Sequence, residues 1–369
     1  MYISELRLKD FRNYRDCALE LSPNINILRG SNAQGKTNLA EAAYYLCVGR
    51  SLRTARDREL IRWETDGAYI SAAAVKSYGT IKVEGYLTKT EKRISVNGLP
   101  ISRMGELMGA LCTVLFTPDE LKVVKDGPSD RRRFMDIDIC QLSKAYFYAL
   151  NRYNKILSQR NKLLKSAQQK NTAAIAAQLD VWDLQLAEQG AKIIAARADF
   201  ITRLRPRAHA AHAYLSDGKE NLEIEYETIP MLKGADGAGV LKEAFLAELK
   251  RWREKDIYNG FTNSGAHKDD IRLTIDGADV RAYGSQGQQR TAILALKLAE
   301  LEIFAENIGE YPVLILDDVF SELDPVRQKK LLDRIKNTQA IITCADTNFN
   351  IDGAVIFEIN KGAIRRQST

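Results

Sequence analysis

Two short segments near opposite ends of the chain carry residues whose types and spacing suit phosphate chemistry. Gly30-Ser31-Asn32-Ala33-Gln34-Gly35-Lys36-Thr37 fits the pattern G-x-x-x-x-G-K-[ST] in full. Gly30 and Gly35 stand where the backbone must turn tightly and approach a phosphate closely. Backbone N–H groups of the loop and of the helix start after it, through Asn38, are expected to converge on phosphate oxygens. Lys36 would place a charge on the β- and γ-phosphates, and the Thr37 hydroxyl would ligate Mg²⁺. The second segment, Val313-Leu314-Ile315-Leu316-Asp317-Asp318, is an apolar run ending in two carboxylates. Asp317 is expected to hold Mg²⁺, directly or through water, and Asp318 to orient or deprotonate an attacking water.

These residues need particular elements beneath them. Residues 24–28 read as a strand entering the loop and 38–46 as the helix leaving it. The run 313–316 suits a central parallel strand covered on both faces, with its acids at the strand end where open α/β sheets bind ligands. Upstream, Ser285-Gln286-Gly287-Gln288-Gln289-Arg290 leads into helical periodicity over 291–299. Ser285 and Gly287, with Gln288 beside them, would open that helix and form a second anion site. Ser321-Glu322-Leu323-Asp324 closely follows Asp318. Alternating stretches at 69–75, 80–87 and 93–96 read as antiparallel strands flanking the parallel core.

Residues 129–189 contain neither Gly nor Pro and read as two helices in a hairpin, with a break near 169–172. Gly190 ends or marks the second helix, and Pro206 is expected to stop the helical stretch beyond it. Residues 141–170 lack Asp and Glu but carry Lys144, Arg152, Lys155, Arg160, Lys162, Lys165 and Lys170. Lys144, Tyr148, Arg152, Lys155, Gln159 and Lys162 share one helical face, with Leu142, Ala149, Tyr153, Ile156 and Leu163 toward the core. By charge alone such a face is more often simply solvated. His209 and His212 read as an exposed helical pair. Arg53 and Arg56, just past the loop helix, read as pairing with Asp57 and Glu59, with contact to a γ-phosphate or to DNA as the alternatives.

The order of phosphate loop, Ser285 helix, Asp317 strand and Ser321–Asp324 turn resembles the ATP-binding-cassette superfamily. In that superfamily one subunit's signature helix caps the γ-phosphate held by another's loop. The wording is closer to the RecF family of SMC-like ATPases. The resemblance rests on Leu6-Arg7-Leu8-Lys9-Asp10-Phe11-Arg12-Asn13-Tyr14, Phe116-Thr117-Pro118-Asp119-Glu120-Leu121, Gly127-Pro128-Ser129-Asp130-Arg131-Arg132-Arg133, Ser264-Gly265-Ala266-His267-Lys268-Asp269-Asp270, the Ser285–Arg290 segment and the run from Leu316 to Asp324. It spans nearly the whole chain. It implies ATP and Mg²⁺ as ligands, an ATP-induced homodimer on DNA, recruitment of RecR, and a DNA-linked ATPase that serves gap repair and replication. It also implies that Arg12 and Asn13, otherwise turn residues, frame the nucleotide. On this resemblance the basic face of Lys144, Arg152, Lys155 and Lys162 becomes a phosphate rail, reading backbone rather than bases. Arg131, Arg132 and Arg133 would be DNA-facing or structural.

The implied architecture is α/β: an ABC-type ATPase head, a mixed sheet with an added antiparallel layer, interrupted by a helical arm. The expected parts are residues 1–120 and 259–369 for the head and 121–258 for the arm. Asp318 is one methylene shorter than the Glu usual in transporters, which implies slow hydrolysis. No histidine switch is found, and Asp346 stands about where one would be. A non-hydrolytic ATP-sensing scaffold is the alternative function. A small GTPase is disfavoured, because Asn154-Lys155 and Asn161-Lys162 lack the Asp of N-K-x-D.

A net charge of +6 permits a nucleic-acid partner without establishing one. Five scattered cysteines with no C-x-x-C suit a reducing cytoplasm and no zinc site. The strand-like start argues against a signal peptide, and no apolar run approaches the roughly 18 residues of a membrane span.

Overall fold

The computed structural model describes residues 1–169, 173–229, 237–345 and 351–367. The chain divides into two compact units, one of Met1–Leu121, Ala210–Lys219 and Arg290–Thr369, the other of Lys122–His209 and Glu220–Gln289. Residues 259–289 thus group with the helical unit.

The first unit opens with alternating apolar residues that form β1 (Tyr2–Phe11) and β2 (Tyr14–Glu20), followed by β3 (Ile25–Arg29) and α1 (Lys36–Val48). A register shift between Ile3 and Glu5 resets the alternation, so Ile3, Leu6 and Leu8 are all buried. Next come β4 (Gly67–Lys76), β5 (Gly79–Thr88), β6 (Lys92–Val96), β7 (Leu99–Pro100) and β8 (Thr113–Phe116). The helical unit holds α2 (Lys122–Lys125), α3 (Pro128–Leu142), α4 (Lys144–Gln169), α5 (Ala173–Ser216), β9 (Leu222–Glu227), α6 (Ala238–Asn259), β10 (Asp270–Ile275), β11 (Ala278–Asp279) and α7 (Val280–Tyr283). Then come α8 (Gln286–Ile308), β12 (Val313–Asp317), α9 (Pro325–Arg334), β13 (Ala340–Cys344), β14 (Val355–Asn360) and β15 (Ala363–Arg366).

A six-stranded sheet runs β15-β14-β3-β13-β12-β8, parallel except for β15, and a second six-stranded sheet, β2-β1-β4-β5-β6-β7, is antiparallel. Helix α1 packs on β4 and β5 of one sheet and on β8, β12 and β13 of the other. That double contact explains why it is apolar almost all round, with Leu39, Ala40, Ala42, Ala43, Tyr44, Tyr45 and Leu46 buried. The α/β head with a mixed sheet, an added antiparallel sheet and a helical arm is the architecture the sequence implied.

Several local expectations fail, each for a packing reason. Pro206 lies inside α5 rather than ending it. Leu204 before it and Ala208, Ala211 and Leu215 after it bury one continuous stripe, which outweighs the roughly 3 kcal/mol a helical proline costs. Gly190 is likewise interior to α5; a Cβ there would lie 2.1 Å from Phe245 Cε1, so the glycine lets α6 approach. His212 is fully buried on that stripe, while His209 is exposed, so the two are not an exposed pair. Arg160 is not part of the basic face. It is completely buried, with Nε 2.6 Å from Asp183 and Nη1 2.6 Å from Asp256. Its acids come from α5 and α6, outside the acid-free window. The core stripe of α4 accordingly runs Tyr153, Ile156, Arg160, Leu164 and Ala167, with Leu163 only half-buried. Residues 170–172 of the expected break lie outside the described residues. Among the described residues no helix is long and apolar enough to cross a membrane.

Candidate nucleotide-binding site

The phosphate loop joins the end of β3 to the start of α1. Gly30 cannot carry a side chain, because a Cβ would sit 2.3 Å from the Ile359 carbonyl oxygen. Gly35 has φ 117°, in the region that favours glycine, and a Cβ there would crowd Asn13 and Tyr14. The Lys36 ammonium donates to the carbonyls of Gly30 and, at 2.8 Å, Ser31. Burial lowers its pKa, while Asp318, Cys344 and Asp317 pull in the opposite direction. The two carbonyls hold the ammonium inside the loop.

Parallel pairing places β12 beside β13, and β13 beside β3, so Asp317 sits across from Thr343. Asp317 Oδ1 accepts hydrogen bonds from Thr37 Oγ1 at 2.9 Å, 280 residues away in sequence, and from Thr343 Oγ1 at 2.6 Å. Asp318 follows in a left-handed conformation, φ 58°, with its N–H donated to Thr343 Oγ1 at 3.0 Å. Its carbonyl accepts from Ser321 Oγ at 2.7 Å, and its side chain is exposed.

The turn between β1 and β2 reaches the loop. Asn13 Nδ2 donates to the Gln34 carbonyl at 2.9 Å and its Oδ1 accepts from Asn38 at 2.8 Å. The Tyr14 hydroxyl donates to the Gly35 carbonyl at 3.1 Å. The β14–β15 turn holds the same spot, Lys361 N–H donating to Gln34 Oε1 at 2.7 Å. Arg12 instead turns to α1. Its Nε and Nη2 bind both oxygens of Glu41, 2.9 and 3.0 Å away, and its Nη1 donates to the Glu59 carbonyl at 2.9 Å. Glu41 is fully buried and also accepts from Ser51 Oγ.

The structure thus brings together residues 30–38, Asn13, Asp317 and Asp318. Ser285, Gly287 and Gln288 belong to the helical unit. There Ser285 Oγ accepts from the Gln288 N–H at 3.2 Å and Gln288 Oε1 accepts from the Ser285 N–H at 2.8 Å, a reciprocal cap on α8. Gln288 Nε2 also donates to Glu220 at 3.0 Å. Arg290 pairs with Glu322, and Asp324 caps α9 by accepting from the Arg327 N–H at 3.0 Å. Lys144, Tyr148, Arg152, Lys155, Gln159 and Lys162 are all at least partly exposed on α4. Arg131 is a structural residue, buried with Nε 2.6 Å from Asp270. The expected pairing of Arg53 and Arg56 does not form among the described residues: Asp57 pairs with Lys92 and the Glu59 side chain accepts from Thr54. Asp346 lies outside the described residues.

Sequence reasoning passed over Glu41 and Thr343. Both had a signal: Glu41 is the one charged residue in the run 39–48 of α1, and Thr343 is a polar residue in an otherwise apolar β13.

A family model described as RecF/RecN/SMC N terminal domain matches residues 2–365. The DNA replication and repair protein RecF of Alkaliphilus oremlandii is 44% identical over 369 residues, 99% of this chain and 100% of that protein. That of Clostridium kluyveri is 43% identical over 371 residues, again 99% of this chain and 100% of the relative. A solved structure titled as the recombination mediator protein RecF with ATPrS superposes with a TM-score of 0.93 at 36% identity, covering 100% of this chain and 98% of the other. One titled RecF-ATP gives 0.92 at 35%, with the same coverage. An Smc head domain from Pyrococcus furiosus shares the fold, with a TM-score of 0.58 at 16% identity over 100% of this chain and 96% of that one. The phosphate loop, the Asp317 strand and these full-length likenesses lead to one assignment: the chain belongs to the RecF family of SMC-like ATPases.

Proposed function

We propose that this chain binds ATP with Mg²⁺ on its phosphate loop and that two copies close head to head on DNA when it does. The observation that supports this most is the Thr37–Asp317 contact at 2.9 Å. A hydroxyl and a carboxylate from opposite ends of the chain meet beside a loop of phosphate-seeking N–H groups. These are hard oxygen donors, few in number, which suits Mg²⁺ that takes its remaining ligands from phosphates and water. Thr37 and Asp317 would hold the ion, whose chemistry is to neutralise charge on the β- and γ-phosphates. Lys36 would leave its two loop carbonyls for the phosphates. Asp318, exposed and fixed by its own backbone hydrogen bonds, would orient a water for slow hydrolysis that reopens the pair.

The Ser285-capped end of α8 offers backbone N–H groups and the positive end of a 23-residue helix. In this reading it meets the phosphates held by a second copy. The exposed face of Lys144, Arg152, Lys155 and Lys162 tracks a DNA backbone, and the DNA-bound pair recruits RecR to help load recombinase at gaps in the cytoplasm.

Sizing the protein with ATP and Mg²⁺ tests this. Lys36→Met should stay monomeric because it no longer retains the nucleotide. Ser285→Arg should bind nucleotide as a monomer but fail to pair. Normal ATP-dependent pairing of Ser285→Arg would refute the composite site. Single-turnover cleavage of ATP separates this reading from a non-hydrolytic scaffold.

A further inference from the structure

We propose that the turn joining α6 to the Ser264–Asp270 segment is a stacking platform for unpaired nucleobases. This site rests on the DNA-binding reading and adds a contact that a duplex rail does not provide. Tyr258 is 83% exposed and Phe261 43% exposed, unusual for large rings three residues apart.

The turn that carries them is built rather than loose. Gly260 closes α6 in a left-handed conformation, φ 72°, donating its N–H to the Asp256 carbonyl. Gln168 of α4 donates to the Tyr258 carbonyl at 2.7 Å, and Asn161 of α4 accepts from the Thr262 N–H at 2.8 Å. Asp256, fully buried, accepts from the Asn263 N–H at 2.9 Å and is held by Arg160. The rings are therefore presented to solvent by a backbone fixed on both sides.

The charges around them are mostly positive. Lys165 occupies the same line of α4 as Asn161 and Gln168, four residues after one and three before the other, so it lies along the turn. Lys268 Nζ is 5.6 Å from the Phe261 ring centroid. Lys255 precedes Tyr258 by one helical turn, with its ammonium 4.6 Å from the Trp252 ring centroid; Glu254, four residues before Tyr258, is the acidic neighbour, and Asp256 is already paired. Exposed rings among lysines match a strand whose phosphates and flat bases alternate. Every base offers a π-face, so the contact is tolerant of sequence. A duplex hides those faces in its stack. The occupant is therefore a single strand, or the unpaired end of one.

Fluorescence anisotropy of the full chain with labelled oligo-dT and with blunt duplex DNA tests the proposal. Tyr258→Ala with Phe261→Ala should weaken oligo-dT binding roughly 10- to 100-fold and leave duplex affinity within about twofold. Tyr258→Trp should retain oligo-dT binding. Equal loss on both DNAs, or unchanged oligo-dT affinity, overturns the platform; the second result would mark the rings as a protein-docking surface. If the wild-type chain binds duplex but not oligo-dT, only this proposal falls. If it binds neither, the DNA reading falls with it.

Discussion

His267 should make the helical unit less stable as the pH falls, and replacing it should remove that dependence. The Thr262 carbonyl, 3.0 Å from Nε2, can only accept, so Nε2 carries the proton. Nδ1 then accepts from the Tyr153 hydroxyl at 2.8 Å, and the ring is neutral. Burial lowers its pKa to about 4, with nearby Lys268, Arg132 and Arg160 pushing the same way. Between pH 6.5 and about 4 the unfolded chain binds a proton here that the folded chain does not. Stability therefore falls with pH across that window and is flat with respect to this group on either side. A displacement from 6.5 to about 4 corresponds to about 3 kcal/mol lost at the acidic limit. Urea denaturation of wild type and His267→Gln at intervals from about pH 4.5 to 7.5 reads the difference. Of the three tryptophans only Trp63 lies in the head, and it is 90% exposed, so a Trp63→Phe background reports the helical unit through Trp182 and Trp252. The variant should be weaker near neutrality, where it has lost a ring and its contacts, yet approach or overtake wild type at the acidic end of the series. Asp269, whose pKa burial raises, titrates in both proteins and cancels in the comparison. Parallel stability curves across the window would refute the neutral buried histidine.

The geometry sets three further outcomes. Arg160→Met leaves fully buried Asp256 without a cation and Asp183 with Arg253 alone, so it should cost the helical unit about 3 kcal/mol in urea denaturation, with nucleotide binding to the head unchanged. Glu41→Ala removes the bidentate partner of Arg12 and should raise the KM for ATP while Glu41→Gln, which keeps the shape, raises it less; an unchanged KM would show that Arg12 does not shape the site. Reversing Lys144, Arg152, Lys155 and Lys162 to Glu should weaken duplex binding and flatten its dependence on salt, measured from about 50 to 200 mM, because fewer counterions are released.

Much of the head was legible because its signals are local. The glycines of the phosphate loop, the apolar run before Asp317 and the periodicity after Ser285 each fix one element in a short window. The errors came where distant residues decide. Arg160 looked uncompensated because Asp183 and Asp256 lie outside the acid-free window, and only folding brings them within 2.6 Å. Pro206 looked like a stop because propensity was weighed without the apolar stripe that continues to Leu215. In the site, Thr37, Asp317 and Asn38 are motif positions, but the hold of Asn13 on Gln34 and of Glu41 on Arg12 depends on how the β1–β2 turn meets α1. No spacing rule encodes that.

The strand that feeds the phosphate loop has a consequence for synthesis. β3 lies between β13 and β14, so both of its hydrogen-bonded neighbours are encoded in the final stretch of the chain. As the chain emerges from the ribosome, residues 25–29 must wait for 340–344 and 355–358 before they have flanks. A prematurely terminated polypeptide keeps every letter of G-x-x-x-x-G-K-T and lacks the sheet that shapes it.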